Sequence, residues 1–319
     1  MSNSKKQSVS FRTYLVLFSI ILISITSVGC EPSNNDISGT IKVSGSSTMS
    51  NLIYLWCKGF SDVYNNTNCM VESFGSTKAP QDLEKGRVDI GAMSEPMSSK
   101  DLQNFKNQYG YEPMEIKVAH DMIAILVNKE NPISCMTIAE LDGVYSNSNS
   151  CQGSTNITTW GDLNLVGEWA NTAIKVYGRT PASGTYDIFK KIALCDGTYK
   201  QSVTELASSR DIVDFVLQDT SSIGYSSAGL LTSGVKAVNI GESRDKCYPP
   251  ESEYAASKEY PFTRDLYLYL KENPKDMKTT TRDFLEYVFS TEGQKAVTDA
   301  GLIPLSLSTI NEQKNKITN

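Results

Sequence analysis

From Ile41 onward, short runs of strand-forming residues alternate with runs whose apolar side chains recur every three or four positions. Ile41-Lys42-Val43-Ser44 precedes a stretch with Met49, Leu52, Ile53, Trp56 and Phe60 on one helical stripe. CMVESF precedes a helical stretch holding Leu83, and RVDIGAM reads as the next strand. VAHDMIAILVN, IKVYG, SIGYSS and YPFTRDLYLYL are further strands, and TRDFLEYVFSTEGQKAVTDAG is helical, with Phe284, Leu285, Val288 and Phe289 clustered. A period of 2 that keeps giving way to a period of 3.6 is the pattern of strand–helix–strand units. It predicts an α/β chain with mostly parallel sheets flanked by helices. No internal repeat interrupts it.

The first 29 residues read as a leader. Lys5, Lys6 and Arg12 form a basic start, YLVLFSIILISITSV is an apolar core too short for an ordinary membrane span, and Ser27-Val28-Gly29-Cys30 closes it. That ending resembles a bacterial lipobox, whose cysteine is lipidated and becomes the new N-terminus, with Ser27 where Leu is usual. Residues 30–38 then read as a polar tether. Removing the leader takes three cations from a formal charge of −6 and leaves about −9. So acidic a chain argues against a nucleic-acid partner but not against an anion, because local donors outweigh a distant field.

Outside the cytoplasm the six remaining cysteines, Cys57, Cys69, Cys135, Cys151, Cys195 and Cys247, are expected to form disulfides. Six allow about 15 pairings. Proximity favours Cys57–Cys69 and Cys135–Cys151, which leaves Cys195–Cys247. A zinc site lacks CxxC spacing and has a single histidine, His120.

The candidate site lies at three junctions of one kind. Val43-Ser44-Gly45-Ser46-Ser47-Thr48, Phe74-Gly75-Ser76-Thr77 and Arg179-x-x-x-Ser183-Gly184-Thr185 each pass through small and hydroxyl residues into a helical stretch. A helix N-terminus offers unpaired N–H groups and the positive end of a dipole, glycine allows close approach, and arginine adds a charged fork of donors. One such junction is ordinary capping; three point to an oxyanion at the carboxyl ends of strands.

These motifs, together with VDIGAMSEPM and SIGYSSAGL, stand in the order found in periplasmic phosphate-binding proteins of the phosphate ABC transporter, and the chain resembles that family from about Ile41 to Pro304. The resemblance implies two α/β lobes joined by two crossing strands that close over phosphate. It implies as ligands Ser47 and Thr48, the backbone N–H of Met49, Ser76, Ser94 or Glu95, Arg179, Ser183, Gly184 and Thr185. Arg179 is then the site's only fixed charge. The family carries Asp or Ser-Arg where this chain has Ser94-Glu95. Either Glu95 accepts the proton of the bound phosphate, which sulfate lacks, or it turns to solvent and leaves Ser94 as the ligand. Pro181 stands where some members have an Asp that orients the arginine, so Arg179 needs another anchor.

The implied organisation is residues 39–119 and 264–308 in lobe one, 120–263 in lobe two, and a polar tail, 309–319, that frays. The implied partners are inorganic phosphate and an ABC permease. The chain is expected to be monomeric, extracytoplasmic in the periplasm or on the outer membrane face, and attached to a membrane only by its lipid. It needs no cofactor and does no chemistry. GYSSAG resembles a hydrolase elbow but has Ala228 where that pattern needs Gly, and His120 precedes the serine rather than following it. No P-loop, metal cluster or activated nucleophile supports a phosphatase. Other tetrahedral oxyanions (sulfate, molybdate, a phosphate ester) remain alternatives, as does a phosphatase or adhesin on the same lobes.

Overall fold

The computed structural model describes residues 37–148, 150–151 and 156–318; the leader, Cys30 and most of the tether lie outside the described residues. The chain runs β1 (Ser38–Gly45), α1 (Ser50–Val63), β2 (Asn66–Glu72), α2 (Lys78–Glu84), β3 (Ile90–Met93), α3 (Ser99–Tyr109) and β4 (Met114–Asn128). It continues through β5 (Cys135–Thr137), α4 (Ile138–Tyr145), β6 (Lys175–Arg179), α5 (Gly184–Ala193), β7 (Thr204–Leu206), α6 (Ser209–Gln218), β8 (Ser222–Ser227), β9 (Val235–Ser243) and β10 (Lys246–Tyr248). It closes with α7 (Ser252–Ala256), β11 (Thr263–Leu270), α8 (Thr279–Val288), α9 (Thr291–Asp299) and α10 (Leu307–Thr318).

The strands lie in the order β2-β1-β3-β11-β4-β8-β6-β7, with β9 also beside β4 and β5. Pairing is parallel for β1 with β2 and β3, for β6 with β7 and β8, and for β5 with β9. Every pair made by β4 or β11 is antiparallel, as is the β9–β10 hairpin, so the architecture is mixed α/β.

Of four apolar clusters among the described residues, the two largest sit on either side of β4 and β11. The first gathers Trp56 and Phe60 of α1 with Ile116 and Val118 of β4, Leu266 and Leu268 of β11, and Phe284 of α8. The second gathers Ile123 and Ile125 of β4 with Tyr145, Trp160, Phe189 and Tyr225. β4 changes core between Ala119 and Met122, and the chain entering β11 changes between Phe262 and Leu266. At that crossing Arg264 faces Asp121 in the β11–β4 ladder. Alongside it, the Asp265 carboxylate meets His120 Nδ1 and Lys117 Nζ, each at 2.6 Å. Burial alone would raise the Asp265 pKa, but these two partners outweigh it and hold it down to about 2.

Three expectations need correction. The disulfides are Cys57–Cys69, Cys135–Cys247 and Cys151–Cys195. Only the first matches the pairing by proximity. Cys135 on β5 and Cys247 on β10 flank β9, which pairs with both strands, so sheet geometry rather than chain distance brings them together. Closing that loop of sequence separation 112 is worth about 5 kcal/mol in the chain-entropy account. The polar tail does not fray: it forms α10, with Ile310 and Ile317 in the first core and Gln313 Oε1 accepting the Lys117 N–H at 3.1 Å. Its two isoleucines, seven apart in a polar run, were too sparse a stripe to read as packed. TRDFLEYVFSTEGQKAVTDAG is two helices, because Ser290 caps α9 by accepting the Gly293 N–H at 3.0 Å.

Candidate anion-binding site

Arg179 ends β6, and its side chain turns inward until the residue is 1 % exposed. Its N–H donates to the Tyr225 hydroxyl at 3.0 Å. Nε donates to the Leu206 carbonyl at 3.3 Å, and Nη2 donates to the Ala207 carbonyl and the Ser47 Oγ, both at 2.8 Å. Nη1 donates to the Ser209 Oγ at 2.5 Å. These carbonyls and hydroxyls take the place of the aspartate that Pro181 displaces. None of them is ionised, so no carboxylate is paired directly with the guanidinium. Burial lowers its pKa to about 10, with Tyr225 and the more distant Asp211 opposing and Arg264 adding to the shift, and it stays cationic at neutral pH.

The first lobe presents Ser47 and Thr48 in a single 3-10 turn after β1. Gly45, at φ 131°, allows that turn to pass close to β3: a Cβ there would lie 2.1 Å from the Ala92 carbonyl. Thr48 Oγ1 lies 3.1 Å from Thr185 Oγ1 and 3.4 Å from Ser209 Oγ, so hydroxyls from the two lobes meet. The Met49 side chain is wholly buried in the first core, and its N–H donates to the Ser46 carbonyl at 3.2 Å.

Ser183 caps α5, its Oγ accepting the Thr185 N–H at 3.1 Å. Against that helix start comes the first lobe's second hydroxyl pair. Ser76 Oγ lies 3.1 Å from Ser94 Oγ and accepts the Ser94 N–H at 3.1 Å. A Cβ on Gly184 would lie 2.9 Å from Ser76 Oγ and from Glu95 Cδ and Oε1, so any larger residue would push these two side chains aside. Nearby, the Thr77 N–H and Oγ1 both donate to the Ala182 carbonyl across the lobes, at 3.3 and 3.2 Å.

Glu95 is half-buried over the N-terminus of α5, rather than turned to solvent. Its carboxyl group hydrogen-bonds to that of Asp187, in the first turn of the same helix. Burial first, then repulsion by Asp187, then that hydrogen bond raise the Glu95 pKa from 4.5 to about 8, against a lowering by Arg264. Burial also raises the Asp187 pKa. Two carboxyl groups in contact need a proton between them, so at neutral pH this pair holds one.

The structure adds three residues that the motifs did not indicate, Arg264, Asp121 and Ser209, and Arg179 is therefore not the only fixed charge here. Arg264 Nε and Nη2 donate to Asp121 Oδ2 at 2.9 and 2.6 Å, and Asp121 Oδ1 accepts from Ser227 Oγ at 2.6 Å. Nη1 donates to Thr185 Oγ1 at 3.0 Å and Nη2 to Thr48 Oγ1 at 3.3 Å. Both partners of this ion pair are buried. A signal for it existed: Asp121 interrupts VAHDMIAILVN and Arg264 interrupts YPFTRDLYLYL, and a charge inside an apolar strand needs a partner.

Read upward from its residues, the site is a set of donors. It offers one guanidinium with no directly paired carboxylate, hydroxyls from Ser47, Thr48, Ser76, Ser94, Thr185 and Ser209, and a helix N-terminus, gathered where the lobes touch. Such a set suits a small oxyanion. Comparison with known proteins agrees. Residues 31–292 match the model of a PBP superfamily domain. The phosphate-binding protein PstS of Pseudomonas aeruginosa is 36 % identical over 271 residues, 84 % of each chain. That of Staphylococcus saprophyticus is 25 % identical over 283 residues, 88 % of this chain and 84 % of its own. A Clostridium perfringens substrate-binding protein solved with bound phosphate superposes with a TM-score of 0.71 at 22 % identity, covering 84 % of this chain and 100 % of its own. An ABC-type phosphate transport receptor from Vibrio cholerae gives 0.64 at 22 %, covering 83 % and 100 %. The chain belongs to the PBP superfamily and, within it, to the family of the PstS phosphate-binding proteins.

Proposed function

We propose that this chain captures inorganic phosphate between its lobes and delivers it to an ABC permease, without chemistry of its own. The observation that carries this reading is the buried Arg179, held by neutral groups and aimed at hydroxyls of both lobes. Ser47, Thr48, Ser76, Ser94, Arg179, Ser183, Gly184 and Thr185 are the proposed ligands. Ser183 acts chiefly by capping the helix whose first N–H groups face the anion. Residues 39–119 and 264–308 form one lobe and 120–263 the other, with α10 packed on the first. β4 and β11 are the hinge. Closure completes the hydrogen bonds of an anion already held by one lobe, and each oxygen left unpaired would cost about 1–3 kcal/mol.

The leader and Cys30 support an extracytoplasmic chain tethered by lipid, a setting in which three disulfides persist. Among the described residues no helix is long and apolar enough to cross a membrane. A monomer suffices, because one chain supplies all the donors.

One observation favours a second reading. The proton that Glu95 shares with Asp187 is used within that pair and leaves Glu95 uncharged, so it does not repel an oxyanion that carries no proton, and sulfate or molybdate is not rejected at this corner. Calorimetric titration with phosphate, sulfate and molybdate separates the two. Phosphate is expected to bind one per chain with Kd at or below about 1 μM, that is about −8 kcal/mol or stronger. Sulfate or molybdate binding more tightly than phosphate would replace the reading.

A further inference from the structure

We infer that Arg264 is a positioning residue: from the hinge it makes the hydroxyls of Thr48 and Thr185 hydrogen-bond donors to the anion, and it holds both only when the lobes are closed. This rests on the phosphate reading above. A threonine hydroxyl has one proton and two lone pairs, and guanidinium has N–H donors and no acceptor. Where Arg264 Nη1 meets Thr185 Oγ1 and Nη2 meets Thr48 Oγ1, the arginine donates and each hydroxyl accepts. One lone pair on each oxygen is thereby filled, and its proton is left to point elsewhere. The unprotonated oxygens of a phosphate between the lobes accept both protons, including the one that Thr48 and Thr185, 3.1 Å apart, otherwise share. A charged donor behind each hydroxyl also polarises it, which strengthens the bond it gives.

The geometry of the guanidinium is what makes one residue serve both lobes. Asp121 Oδ2 grips Nε and Nη2, which orients the guanidinium plane, and Ser227 holds the other carboxylate oxygen. Asp121 and Arg264 belong to neighbouring positions of the two hinge strands, so this pair stays in place as the lobes move about it. Thr48 and Thr185 arrive from opposite sides. Asp121 pairs directly with Arg264, whereas among the described residues no carboxylate hydrogen-bonds to the Arg179 side chain, and Asp211 acts on it only from a distance. Arg179 therefore supplies net charge and Arg264 supplies direction, and lysine at 264 would keep the charge but lose the planar fork.

Calorimetry with inorganic phosphate on a double-mutant cycle tests this, using the mature chain, Thr48→Val, Thr185→Val, Arg264→Lys and the combinations with Arg264→Lys. In the native background each valine is expected to weaken phosphate about tenfold, and Arg264→Lys about thirtyfold. In the Arg264→Lys background each valine should cost no more than about twofold, because the hydroxyls have already lost their orientation. Tenfold losses in both backgrounds would overturn the inference while leaving phosphate binding intact. Failure of the unmutated chain to bind phosphate would overturn the functional reading instead. If thermal melting shows Arg264→Lys to be unfolded, the neutral pair Arg264→Gln with Asp121→Asn replaces it, with the same additive result counting against the inference.

Discussion

Arg179→Met weakens phosphate binding by about a thousandfold and leaves the chain folded. The side chain brings the site a positive charge with no directly paired carboxylate, and two of its donors set Ser47 and Ser209, one from each lobe. Methionine fills the volume but removes every donor. An anion then enters against a chain of net charge about −9 once the leader is removed. Folding survives because the partners of Arg179 are carbonyls and hydroxyls, so no ionised group is stranded in the interior. Calorimetry and a thermal melt read the two halves of this statement separately. A loss below about tenfold in a folded variant would move the main charge contact elsewhere, and Arg264 would be the residue to test next.

Phosphate affinity in the native chain falls as pH rises between about 5 and 8, by up to about tenfold per pH unit, relative to Glu95→Gln. In the closed arrangement Glu95 has its pKa raised to about 8 by burial and by Asp187. With the lobes apart, it returns toward its ordinary 4.5. A group whose pKa is raised on closing stabilises the closed form fully below the lower value and loses that contribution as pH rises through the upper one. Above about pH 8 both forms are deprotonated and the dependence levels off. The groups facing the pair are Arg264 and Asp101 around Glu95, and Lys190 beside Asp187. Phosphate itself titrates in this range, so the informative quantity is the ratio of native to Glu95→Gln affinity. Glutamine donates to Asp187 at every pH and stands in for the protonated acid. A ratio that stays constant across the range would show that Glu95 takes up no proton on closing.

The fold was legible largely because the period of apolar residues changes at each strand–helix junction: α1 carries the stripe from Leu52 to Phe60, β4 includes 118–128, and β11 takes up the expected strand from Thr263 on, after a turn at 260–262. Less legible was whatever depends on which strands lie side by side. Cys135 and Cys247 pair because β9 separates β5 from β10 in space, which no spacing along the chain reports. The same limit applied at the site. Hydroxyls and Gly184 could be found from local motifs, since a helix N-terminus is a local object. Arg264 and Asp121 lie 143 positions apart and acquire their meaning only from the register of two antiparallel strands. Pro181 read as the loss of an anchor for Arg179. The carbonyls of Leu206 and Ala207 that replace it are backbone atoms, on which sequence is silent.

The most direct test is a crystal structure of the mature chain grown with phosphate. The account predicts one tetrahedral anion between the lobes, within hydrogen-bond distance of Arg179 and of hydroxyls from both Thr48 and Thr185, and at the N-terminus of α5. An anion bound away from Arg179, or an interlobe site that stays free of phosphate at millimolar concentration, would contradict it.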